Sequence, residues 1–102
     1  MNTSNKSLTC RLTTPELQAR KKTVIRQLKE LVVERVELDN GFRYKFRGSD
    51  ETIDIMTNFV KTERLCCDFF DFTMDIRSNG DLFLELSGPN GAKDFIVNEL
   101  TL

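Results

Sequence analysis

The sequence predicts an α+β fold: a two-layer sandwich ordered α-ββα-ββα, in which a four-stranded antiparallel sheet carries its helices on one face. Three observations predict it. Two segments alternate apolar and polar residues around tight turn signals. In the first, Val36 and Leu38 precede "DNG", and Phe42, Tyr44 and Phe46 follow it; in the second, Phe70, Phe72, Met74 and Ile76 precede "RSNGD", and Leu82, Leu84 and Leu86 follow it. Three further segments space apolar residues at three and four positions, the period of a helix with one buried face. Finally, the pattern occurs twice. At an offset of 40, Phe42, Tyr44, Phe46 and Gly48 fall on Leu82, Leu84, Leu86 and Gly88, and Ile55 and Met56 fall on Phe95 and Ile96. A strand–turn–strand–helix unit used twice accounts for this. Which hairpin strands are central is not fixed by alternation.

The first helix starts at "TTPEL". Thr14 can cap it, Pro15 suits the first helical position, and Glu16 stands near the positive end of the dipole. Leu17, Val24, Ile25, Leu28, Leu31 and Val32 continue the helical spacing to about Val33. Asn-Gly between alternating runs is a strong hairpin signal. Apolar residues on one side and charges on the other suit a sheet with one covered face. Gly48 ends the second strand. Ser49 or Asp50 caps a helix that buries Ile53, Met56, Phe59 and Val60 and runs to about Leu65. "GPNGA" opens a last helix with Phe95, Ile96 and Leu100. Residues 1–7 read as a disordered tail and residues 8–102 as a single domain. Leu8, Cys10 and Leu12 suit a short extended arm.

The 102 residues, 39% apolar and 30% charged, describe one soluble domain. No apolar run approaches the ~18 residues of a membrane span, and the polar N-terminus lacks a signal-peptide core. A cytoplasmic location with reduced thiols is therefore expected, and no membrane partner. Charge is uneven. Residues 1–29 carry Lys6, Arg11, Arg20, Lys21, Lys22, Arg26 and Lys29 against Glu16 alone, while the remainder is net −7. The basic stretch has no aromatic residues for stacking bases, so it reads as a solvated helix face and nucleic acid is not an expected partner.

The chemistry worth weighing lies in "ERLCCDFFDF", Glu63 to Phe72. Cys66 and Cys67 are two of three cysteines, set where a helix gives way to a strand. One reading makes them small core residues. The other joins them to Cys10 as a site of three thiolates, which selects soft ions. For zinc, in a chain without histidine, Glu63, Asp68, Asp71 or water would complete the set. No complete catalytic constellation is legible, because a cysteine nucleophile ordinarily needs a base. Arg64 or Lys61 could still favour a thiolate.

Three stretches, "LTCRLTTPELQARKK", "ERLCCDFFDF" and "LELSGPNGAKDFI", resemble a small bacterial family of unassigned function. In that family the central motif reads Glu-Arg-x-Cys-Cys-Pro-Phe, and a cysteine stands at the Cys10 position. Here Asp68 replaces the proline. Some members of the family accompany metal-resistance regulators, which implies a soft-metal role. The element order also resembles pterin-4a-carbinolamine dehydratase. That family places a His-His-Pro motif where Cys66, Cys67 and Asp68 stand here, so its activity does not carry over.

Two expectations result. The first is a homodimeric protein that binds a soft metal or metalloid ion, or senses redox state, through Cys10, Cys66 and Cys67. Glu63, Arg64 and Asp68 would then serve as hydrogen-bond partners or counter-charges. The second is a protein-interaction or dimerisation module in which the cysteines are structural.

Overall fold

The computed structural model describes residues 14–102. Helix α1 (Pro15–Leu31) begins at Thr14, whose Oγ1 accepts from the Leu17 amide at 3.2 Å. It runs directly into strand β1 (Val32–Leu38), and a two-residue turn leads to β2 (Gly41–Phe46). Helix α2 (Asp50–Cys66) starts at Ser49, whose Oγ accepts from the Thr52 amide at 3.1 Å. Strands β3 (Asp71–Ile76) and β4 (Leu82–Ser87) form the second hairpin. Helix α3 (Ala92–Phe95) then widens into a π-helical turn over Ile96–Leu100. Both capping side chains meet amide donors that a helix cannot satisfy itself.

The sheet order is β1-β2-β4-β3, antiparallel throughout. The central pair is thus the second strand of each hairpin. Phe42 faces Leu86, Tyr44 faces Leu84, and Phe46 faces Leu82. Residues equivalent at the offset of 40 therefore exchange places about the Tyr44–Leu84 pair, a local pseudo-two-fold axis. All six side chains are buried on the helix side. They meet Met56 and Phe59 of α2 and Phe95, Ile96 and Leu100 of the last helix, with Val24 and Leu28 of α1 completing the core. Burying each such side chain contributes about 1.5–3 kcal/mol, which makes this layer the main source of stability.

Strand β1 departs from its expected alternation. Val36 was to point inward with Phe42 and Tyr44, yet it is 50% exposed. The pairs Arg35–Tyr44 and Glu37–Phe42 put Arg35 and Glu37 on the helix side instead. The cause is a shift in register between Val32 and Glu34, a bulge that inverts the faces of everything after it. The two charged side chains are accommodated at the rim. The Arg35 guanidinium lies 4.6 Å from the Phe42 ring centroid and donates to the Leu102 carbonyl at 2.9 Å. Glu37 pairs with Lys93, and that hydrogen bond holds its carboxyl below the usual range.

The opposite face of the sheet carries charges that satisfy one another. Arg43 pairs with Glu85 and Asp75 and lies 4.1 Å above the Phe83 ring centroid. Arg77 also holds Asp75, at 2.8 Å, and its hydrogen bond is the main cause of a lowered Asp75 carboxyl. The expected tail and the arm bearing Cys10 lie outside the described residues. Among the described residues, no helix is long and apolar enough to cross a membrane.

Candidate functional site

Helix α2 buries a stripe of residues three and four apart: Met56, Phe59 and then Glu63. A carboxylate thus occupies a position that the period assigns to a hydrophobe. Helix α1 does the same. Its stripe of Leu17, Val24 and Leu28 is interrupted at Lys21, whose side chain is only 12% exposed. The two helices pack against each other and set these charges face to face. Lys21 Nζ lies 3.5 Å from Glu63 Oε1 and 3.9 Å from Cys67 Sγ.

Cys67 reaches this point because α2 ends there. Its backbone leaves helical geometry at φ −125°, ψ 73°, while its amide still donates to the Glu63 carbonyl at 2.6 Å. Its own carbonyl accepts from Phe70 at 3.4 Å, which closes a turn between α2 and β3. Phe69 and Phe70 then anchor the turn by packing edge-on to Phe95. Cys67 is fully buried and Asp68 is exposed, so consecutive side chains diverge as a helix end requires. A cleft of about 450 Å³ opens at this junction. Arg64, Cys67, Asp68 and Asp71 contribute its polar part, over Val60 and Phe70.

The electrostatics follow from the geometry. Glu63 and Lys21 form a desolvated ion pair, in which removing one partner strands the other charge at a cost of about 3–5 kcal/mol. The carboxylate is the nearer partner of the ammonium, and the thiol is the second. Cys67 is the C-cap of α2, and the Lys21 ammonium stands beside its buried sulfur.

Of the expected site residues, Cys67 is placed at the junction and Glu63 is placed as the counter-charge of Lys21 rather than directly of a thiol. Arg64 and Asp68 are exposed at the cleft. Cys10 and the side chain of Cys66 lie outside the described residues. Among the described residues, no three His, Cys, Asp or Glu side chains gather as a metal site. Lys21 went unrecognised in the sequence, where it reads as one of a basic cluster. Its signal was the gap it leaves in the Leu17–Val24–Leu28 stripe. Comparison with protein-family models, curated proteins and solved structures finds no match, so nothing there bears on the resemblances of motif or element order.

Proposed function

We propose that the α2–β3 junction is a thiolate site that binds a soft metal or metalloid ion. Cys67 supplies one sulfur, with Cys66 and Cys10 as the further ligands. The observation that carries this reading is the Lys21 ammonium set between Glu63 and Cys67. A core cysteine needs only apolar neighbours. A cysteine that must lose its proton on binding an ion benefits from a nearby positive charge, and the buried carboxylate keeps that charge in place. The cleft beside Cys67 gives a small ion a way in. Thiolate sulfur favours soft ions over calcium or magnesium.

Thiol titration of the reduced protein, with and without Hg(II), As(III) and Zn(II), tests the reading. About one equivalent of a soft ion should protect all three thiols, and Cys10→Ser should abolish protection of the other two. Lys21→Met should slow alkylation of Cys67, because the ammonium beside its sulfur is lost. Its thermal melt shows whether the fold survives. Three thiols that react independently of added ions would overturn the proposal.

A further inference from the structure

Lys21, Glu63 and Cys67 bring an amine, a carboxylate and a thiol to one buried point. Glu63 and Cys67 stand one helical turn apart at the end of α2, and Lys21 reaches them from α1. Lys21 Nζ lies 3.5 Å from Glu63 Oε1 and 3.9 Å from Cys67 Sγ. An ion pair accounts for the lysine and the carboxylate. It supplies no reason for a sulfur as the next neighbour.

Two features make a reaction between nitrogen and sulfur favourable. The first is proximity. The nitrogen–sulfur distance is close to the separation of about 3–3.5 Å at which reacting atoms stand poised for attack. The backbone of Cys67 is held, since its amide donates to the Glu63 carbonyl at 2.6 Å. The lysine stem is flexible and closes the remaining gap. The second feature is access. Cys67 is buried from bulk solvent, yet it lines the cleft of about 450 Å³ together with Val60 and Arg64. A water molecule takes about 30 Å³, so hydrogen peroxide, about twice that, fits the cleft with room to spare.

We propose that Cys67 and Lys21 form a redox modification site, at which a hydroperoxide joins them through a sulfur–nitrogen bond. In the first step the sulfur attacks one peroxide oxygen. An S–O bond forms, the O–O bond breaks, and water leaves with the thiol proton. The sulfur is oxidised to a sulfenic acid and the peroxide is reduced. In the second step Lys21 passes a proton to Glu63, and its amine attacks the sulfur. An N–S bond forms, the S–O bond breaks, and the hydroxyl leaves as water with a second proton from the nitrogen. Sulfenic acids condense with a backbone nitrogen in this way. Here a side-chain nitrogen is held close enough to do the same before a second peroxide arrives. The product is uncharged where the reduced protein buries an ion pair. Added thiol reverses it by attacking the sulfur, which frees the amine, and Glu63 returns its proton. A second thiol then releases Cys67 from the mixed disulfide. The inference rests on the metal-site reading in one respect only: the bond regulates that site by withdrawing a sulfur from soft ions. Forming the bond requires no ion.

The test uses the full chain carrying Cys10→Ser and Cys66→Ser, which leaves Cys67 as its one cysteine. It is treated in metal-free buffer with a few equivalents of hydrogen peroxide. The intact mass should fall by about 2 Da, because two hydrogens are lost when nitrogen and sulfur join. A tryptic digest should contain a peptide that links positions 21 and 67, and dithiothreitol should restore the starting mass. Lys21→Arg in the same background keeps a positive charge beside Glu63 but offers no amine. It should yield no linked peptide and should gain about 32 Da as the sulfinic acid. Thermal melts show whether each variant is folded. The wild type, treated alike, should contain the same linked peptide, so the test does not hang on the serine variants. Oxidation of Cys67 with Lys21 left unlinked would overturn the proposal, as would a Cys67 that peroxide leaves untouched in the folded protein. The metal-site reading fails separately. A linked peptide in a protein whose thiols no soft ion protects would sink that reading and leave this one standing. Ion protection without a linked peptide would do the reverse.

Discussion

Tyr44 is the chain's only tyrosine, and there is no tryptophan. It is 1% exposed at the centre of the sheet, and no described residue hydrogen-bonds its hydroxyl. Burial raises its ionisation well above the ordinary value near 10, because phenolate would lose its water. The proton is thus held more tightly by the folded state than by the unfolded one. The linked stability is complete below about pH 10 and falls as pH rises beyond it. Phenolate absorbance should therefore appear together with loss of the far-ultraviolet circular dichroism. Phenolate near pH 10 in a folded protein would contradict the burial of Tyr44. Tyr44→Phe should be neutral, or stabilising by about 1 kcal/mol, and should weaken the alkaline transition. The residue scale also shows what the site sequence concealed. The motif put Cys67 and Glu63 where α2 ends, whereas Lys21 was passed over, because composition cannot tell a buried lysine from a solvated one. The gap in the α1 stripe is its one trace in the sequence, and the packing of α1 on α2 selects it.

At the scale of elements, the sequence was most legible where one physical rule acted alone. Thr14, Pro15 and Ser49 marked helix starts because unsatisfied amides demand caps. The alternation at Leu82–Leu86 marked a strand with one wet face. Strand β1 was misread in phase because helix and strand meet without a loop, and a bulge there reverses the faces. Apolar periodicity cannot reveal a bulge when Val33 and Val36 are hydrophobic whichever way they point. The "DNG" turn was located correctly, but its glycine has another purpose as well. A Cβ on Gly41 would lie 1.7 Å from the Leu86 carbonyl oxygen, so the residue is small to let β4 approach β2. Gly41→Ala should cost about 2–3 kcal/mol in denaturant unfolding, as expected of overpacking. A loss within experimental error would mean that the strands separate there at little cost.

At the scale of the whole molecule, two ββα units meet only along β2 and β4 within the sheet. Each hairpin joins neighbours in the chain, whereas the seam joins distant residues, from Gly41 and Ser87 at one end through Tyr44 and Leu84 to Phe46 and Leu82 at the other. The sequence made the duplication visible, but it left the seam open, because either strand of each hairpin could have been placed in the middle. The seam has a consequence for time rather than for shape. Contacts between neighbours form early, since their loop-closure cost is small, and the long closure is met once, when the hairpins dock. Docking should therefore limit the rate of folding. Stopped-flow chevrons, read through Tyr44 fluorescence, should show Leu84→Ala chiefly slowing refolding and Met74→Ala, on the outer strand, chiefly speeding unfolding. Equal partition for the two variants would mean that hairpins and seam form together. If the seam forms last, a chain still being synthesised has an unfinished sheet until β4 has been made. Until then the inner edge of β2 is open to strangers.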